Sequence, residues 1–333
     1  MKHEDHSTKH GPIDPFQDWG FKYLFGREQN KDLLVGFLNL LLEPEVRIRD
    51  ITYLNTELLG DRPELKRCVV DVLCTDTAGD RYLVEMQNLA QADIAERLLY
   101  YACRLIDQMG QHRKQWKYGK IRKVYAICLM NFTYEPEPSL RNDFQLRSPT
   151  GEKLFSDRLS IITLQIPCLR ARNASDFRKS YEILLFLLES MSKQMSTTEE
   201  LLAEIDALDC VPEESKAIFR RVVTASFDMS KITMKEWREY EIERDYYLRT
   251  VGSLRDGREE GRKEGRKEGL AEGRKEGLAE GRKEGRKEGL AEGLAKGRKE
   301  RNLEIARTMK DKGAEAAFIA ECTGLSEEEI ANL

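Results

Sequence analysis

Between Glu28 and Leu42, the segment EQNKDLLVGFLNLLL carries one apolar face at helical spacing, which predicts a helix closed by Pro44 two positions on. VRIRDITYL (46–54) alternates and is rich in β-branched residues, so it reads as a strand. Two further runs, from Val69 to Gln87, flank a Gly-containing turn and predict a hairpin. In ADIAERLLYYACRLIDQM (92–109), Ile94, Leu98, Tyr101, Leu105 and Met109 recur with helical period. KVYAICLMNF (123–132) is a continuous apolar strand of the kind buried on both faces, and LSIITLQI (159–166) reads as another. From about 176 the pattern is helical, beginning with the strongly amphipathic FRKSYEILLFLLESM (176–190) and continuing to about 250. Helix, three strands, helix, strand is the order of a mixed α/β core.

The hairpin VVDVLCTDTAGDRYLVEMQ carries an acid inside each strand, Asp71 and Glu85. A three-residue loop, Thr77-Ala78-Gly79, with Gly in the left-handed position, places Asp71 opposite Glu85. A two-residue loop would send the acids to opposite faces. The longer loop leaves Cys68, Val70, Val72 and Cys74 against Tyr82, Val84 and Met86 as a wholly apolar face, and Arg67, Val69, Leu73, Leu83 and Gln87 around the acids as a mixed one. Like charges directly opposite on a sheet are destabilising. A divalent cation between them removes the conflict, and two hard oxygen donors suit Mg²⁺. From the residues alone, a metal site and a solvent-facing polar strip both fit.

Composition narrows the chemistry. A net charge of −4 over 333 residues gives no global basicity, so a nucleic-acid partner would be met by a local patch. Seven scattered cysteines without a CxxC pair read as reduced thiols of a cytoplasmic protein. LLVGFLNLLL (33–42) is too short to span a bilayer. Three of the four histidines lie in the first ten residues, expected to be a disordered tail (1–13), and His112 stands alone. Carboxylates are therefore the candidate chemistry.

From Gly257 to Glu300 the sequence consists of eleven four-residue units, each beginning with Gly, with 14 Lys+Arg against 11 Asp+Glu. This nearly balanced polyampholyte (251–300 with its lead-in) reads as a helix-biased spacer. The competing reading is close helix–helix association along the glycine stripe. Residues 301–333 form a small helical module, with Gly313 and Gly324 as stops and a capping box of Ser326 and Glu329. IAECTGLSEEEI has helix-turn-helix rhythm, but Glu327, Glu328 and Glu329 would open the recognition helix and repel phosphate. A docking role is the expectation for that module.

Asp71 followed by EMQ (85–87) is similar to the acid–ExQ variant of the PD-(D/E)XK nuclease core, in which Gln stands where Lys is usual. With DWGFKYLFGREQNKDLLVGFLNLLL (18–42), DITYLNTE (50–57) and the Gly-rich charged repeat, the chain resembles the Rpn family of recombination-promoting nucleases, also described as transposases. The resemblance spans about residues 14–190, followed by a helical region at 191–250. It implies a restriction-endonuclease-like α/β core, a mixed central sheet flanked by helices, and a helical C-terminal region. It also implies Mg²⁺-dependent DNA cleavage of low sequence specificity, tied to recombination or mobile elements, with Mn²⁺ or Ca²⁺ as possible substitutes and no small-molecule cofactor. Asp71 and Glu85 would be the metal ligands, the Met86 carbonyl a third, and Gln87 would orient water or phosphate. Asp18 matches the family's leading acid, as a further catalytic residue or as a helix cap. Arg97 and Tyr100 share a helix face and would either touch phosphate or serve packing. Val70 stands where the eponymous Pro is expected. A non-catalytic DNA- or protein-binding protein on the same fold is the alternative. A homo-oligomer is expected, its contact drawn mostly from the region after 176 and above all from the apolar face of 176–190.

Overall fold

The computed structural model describes residues 12–45, 47–58, 68–110, 117–134, 138–171, 176–209 and 211–333. The tail histidines, His112, Arg67 and the Cys68 side chain lie outside them. Two compact units divide the chain, Met1–Val251 and Gly252–Leu333.

The first unit is built on a six-stranded mixed sheet. Its strands are β1 (Ile51–Tyr53), β4 (Val72–Asp76), β5 (Arg81–Gln87), β6 (Val124–Met130), β7 (Arg141–Arg147) and β8 (Leu154–Gln165), in spatial order β1-β4-β5-β6-β8-β7. The β5/β6 and β6/β8 pairs are parallel and the others antiparallel. The short strands β2 (Glu57–Leu58) and β3 (Cys68–Val69) pair separately with each other. Both faces of the main sheet are covered. On one side α1 (Asp18–Phe25), α2 (Lys31–Leu42), α4 (Ser180–Ser192), α5 (Thr198–Asp206) and α6 (Glu213–Phe227) share a core with Val72, Tyr82, Val84, Ile127 and Leu164. On the other side Ile94, Leu98, Ala102 and Leu105 of α3 (Ile94–Gly110) pack on Val70, Leu73, Leu83 and Ala126. This is the flanked mixed sheet expected from the sequence. The near-continuous apolar runs of β5 and β6 follow from burial on both faces.

Three expectations need correction. The strand read at 46–54 is regular only over Ile51–Tyr53, where it pairs with the end of β4. The strand read at 159–166 is longer, and it pairs with the unforeseen edge strand β7, whose largely exposed RNDFQLR alternates only through Phe144 and Leu146. The apolar face of 176–190 is not free for a partner. In α4, Leu184, Leu185, Leu187, Leu188 and Met191 are all buried within their own unit.

Helix α7 (Met234–Asp311) begins in the first unit and runs through the Gly repeat into the second. The repeat is exposed along its length, and a Cβ added at any of its glycines would meet nothing within 4 Å. At the C-terminus, α8 (Ala316–Thr323) and α9 (Glu327–Ala331) enclose a small core of Ala306, Ile319, Leu325 and Ile330. Gly313 and Gly324 take positive φ, and Ser326 with Glu329 forms the capping box.

Candidate active site

The hairpin register follows the three-residue loop. Val72 pairs with Val84 and Thr75 with Arg81, so continuing by one places Asp71 opposite Glu85. Gly79 holds φ +87°, and Asp76 accepts from the N–H groups of Ala78 and Asp80, fixing the turn. The ladder then stops short of Val70, whose N–H donates instead to Thr56. In its place the Asp71 carboxylate reaches across, and the Met86 N–H donates to Asp71 Oδ2 at 2.8 Å. Because a strand residue's N–H and C=O point the same way, the Met86 carbonyl is also directed toward Asp71. This break moves Val70 off the face assigned to it by simple alternation: it joins the core under α3 with Leu73 and Leu83.

The acids lie within a buried sheet, and the solvent-facing alternative is gone: Glu85 is 3% exposed. Its Oε2 accepts from Gln87 Nε2 at 3.2 Å and stands 3.9 Å from Arg97 Nη2, while its Oε1 has no hydrogen-bond partner among the described residues. Arg97 comes from α3, lies over the Tyr101 ring and donates through Nη1 to Gln91. Tyr100, its i+3 neighbour, is 41% exposed.

From α1 come Asp18 and a residue that sequence reasoning missed, Lys22. Lys22 Nζ is 2.6 Å from Asp18 and 3.3 Å from Asp71 Oδ1. The signal was present as an i,i+4 acid–lysine pair on one helix face. The start of α1 is pinned from two directions. Gly20 lies against the Asp14 carbonyl, where a Cβ would come within 2.0 Å. Glu243 of α7 accepts from the Trp19 N–H at 2.9 Å, and the Tyr240 hydroxyl accepts from the Asp14 N–H at 2.9 Å. Beside the acids, a cleft of about 330 Å³ is lined by residues including Asp18, Gln87, Asn88, Tyr246 and Tyr247. Asn88 is held there by the Tyr247 hydroxyl and the Asn131 amide, which both donate to its Oδ1.

Electrostatics mark the pair as costly. Burial pushes the Asp71 carboxyl well above the usual carboxylate range, and the neighbouring Asp18 pushes it further. Glu85 is raised by burial and then by the charge of Asp71, against the opposing pull of Arg97. For Lys22, burial opposes the ammonium, but hydrogen bonds and charge from Asp18 and Asp71 outweigh it and its pKa is raised. A divalent cation fits this set: the donors are hard oxygens, two like charges converge, and a buried carboxylate oxygen lacks a partner. Among the described residues no group of three His, Cys, Asp or Glu side chains is arranged to hold a metal ion.

The sequence profile of the PD-(D/E)XK nuclease family transposases matches residues 15–254. A second profile, the C-terminal HTH domain of the Rpn/YhgA-like nuclease family, matches residues 299–333. The helix-turn-helix rhythm that the sequence reading ranked below a docking module is thus what the matching profile describes. No curated protein and no solved structure shows a significant match to the chain. With the first profile covering well over half of its length, the chain belongs to the PD-(D/E)XK nuclease family transposases, and its tail matches the Rpn/YhgA-like C-terminal domain.

Proposed function

We propose that this protein is a divalent-metal-dependent DNA endonuclease of low sequence specificity that acts in recombination or the movement of genetic elements. The observation that carries the reading is the buried pair Asp71 and Glu85. The two acids hold opposed positions on adjacent strands, Asp71 beside Lys22 of α1 and Glu85 beside Arg97 of α3. Glu85 Oε1 has no hydrogen-bond partner among the described residues, a cost that a bound cation would turn into a gain. Membership of a nuclease family supports the reaction class, and the helix-turn-helix tail supports DNA as the partner.

Asp71 Oδ1 and Glu85 Oε1 would hold Mg²⁺ or Mn²⁺, with the Met86 carbonyl directed to the same side. When bound, the cation would acidify water near neutral pH and neutralise charge building on the phosphate oxygens. Gln87, tied to Glu85 at 3.2 Å, would orient water or phosphate through its amide. Arg97 would hold the Glu85 carboxylate in place from the α3 side. The test is nicking of supercoiled plasmid by full-length protein in Mg²⁺ or Mn²⁺, with EDTA and Asp71→Asn as controls. Cleavage is expected only with metal and only in the wild type. DNA binding with no turnover under any divalent cation would overturn the reading in favour of a non-catalytic binding protein.

A further inference from the structure

At the position on β5 where the family motif most often carries a lysine, this chain has neutral Gln87. Yet an ammonium stands at the acids, delivered by another element. Lys22 reaches from α1 to within 3.3 Å of Asp71 Oδ1, and Asp18, one helical turn before it, grips the same nitrogen at 2.6 Å. We propose that Lys22 is a catalytic residue that supplies the missing motif cation from α1, with its ammonium on the scissile phosphate, and that Asp18 is the positioning residue that aims it. The proposal rests on the endonuclease reading above.

Three observations support it. The first is access. The Lys22 side chain is 37% exposed whereas that of Glu85 is 4%, so Lys22 is open to an incoming phosphate while the carboxylate beside Arg97 is not. Arg97, the other nearby cation, stands 3.9 Å from Glu85 and lies over the Tyr101 ring, less exposed than Lys22. The second is rigidity. Phe21, Leu24 and Phe25 are buried, Gly20 is pressed on Asp14, and Glu243 caps the Trp19 N–H, so α1 holds Lys22 in one place. The third is charge: Asp18, Asp71, Glu85 and Glu243 outnumber Lys22 and Arg97 here, so a phosphodiester is met by repelling carboxylates unless Lys22 and a bound divalent cation offset them.

An ammonium between two carboxylates gives charge and hydrogen bonds and takes no proton. As the water oxygen attacks phosphorus and the bond to the leaving sugar oxygen breaks, the attacking water gives up a proton to solvent, the leaving oxygen takes one from solvent to become the sugar hydroxyl, and Lys22 steadies the extra charge on the phosphate oxygens. Asp18 is then needed for the geometry of Lys22, which accounts for its being 53% exposed and paired with a cation.

The experiment compares full-length wild type with Lys22→Met, Lys22→Arg, Asp18→Asn and Asp71→Asn. Three quantities are measured: Mg²⁺-dependent cleavage, binding of a duplex in Ca²⁺, and Mn²⁺ affinity. Lys22→Met should lose about 10²–10³-fold in cleavage rate and about tenfold in duplex affinity. Its Mn²⁺ affinity should hold or tighten, because a cation competing for Asp71 is gone. Lys22→Arg should recover most of the rate, and Asp18→Asn should show a smaller loss with Mn²⁺ binding kept. Asp71→Asn should lose Mn²⁺ binding. Wild-type cleavage by Lys22→Met, or loss of its Mn²⁺ binding in parallel with Asp71→Asn, overturns the proposal. If the wild type binds duplex but cuts under no divalent cation, the endonuclease reading fails by itself. Lys22 is then judged on duplex binding, where an unchanged affinity in Lys22→Met overturns it.

Discussion

Without metal, the acid pair should make the protein less stable as pH rises. The folded-state pKa values of Asp71 and Glu85 are raised by burial and mutual repulsion. Their contribution is therefore fully present below the unfolded value of about 4 and is lost as pH climbs through the folded values. Buried carboxylates commonly shift by several units. At about 1.4 kcal/mol per unit, a conservative two units gives about 3 kcal/mol. For a unit of this size, that corresponds to a fall in Tm of about 6–12 °C between pH 5 and pH 8. The perturbations are Asp71→Asn, which keeps an acceptor for the Met86 N–H, and Glu85→Gln, which keeps one for Gln87. Each should flatten the profile and raise Tm at pH 8 in EDTA. Adding Ca²⁺ at a hundred times its Kd should return about 2.7 kcal/mol to the wild type and nothing to the variants. The assay is calorimetry on the three proteins across that range, with and without Ca²⁺. A wild-type profile as flat as the variants', or equal Ca²⁺ stabilisation of all three, would refute the reasoning.

Other expectations are more local. Leu187→Ala in α4 should cost about 2–5 kcal/mol in denaturant unfolding, because Leu187 is buried within its own unit; an oligomer that falls apart with stability unchanged would place α4 on an interface instead. Gly79→Ala should cost about 1–2 kcal/mol because φ is +87° there; a neutral result would show that the loop can take another turn. Changing the glycines at 261, 265, 273, 281, 285 and 297 to Ala should raise far-UV helicity, at about 1 kcal/mol per site, because no neighbour lies within 4 Å of the added Cβ atoms. Loss of self-association in that variant would show that the stripe packs helices.

The hairpin geometry of the candidate site was legible because it rests on local chemistry. Gly79 in the third loop position set the hairpin length, the length set the register, and the register placed Asp71 opposite Glu85. What stayed hidden depends on long-range placement. Strand alternation gave Asp71 a mixed face, but it could not show that α3 closes over that face or that the ladder breaks at Val70. Lys22 is 49 residues from Asp71 in sequence, and only the packing of α1 brings them to 3.3 Å. Glu243 and Tyr240 reach the start of α1 from the far end of the same unit. The edge strand β7 was missed because its alternation is carried by just two apolar residues, Phe144 and Leu146, in an otherwise polar run. The apolar face of α4 was read correctly as apolar and assigned to the wrong neighbour. Sequence shows that a surface must be covered, whereas α2, α6 and the sheet supply the cover.

The most direct test of the central claim is an anomalous-scattering measurement on crystals of the full-length protein soaked in Mn²⁺. The account predicts one strong peak about 2.0–2.3 Å from carboxylate oxygens of both Asp71 and Glu85, absent in Asp71→Asn crystals. A peak elsewhere with the pair left empty, or an Mn²⁺ site that survives Asp71→Asn, would contradict it.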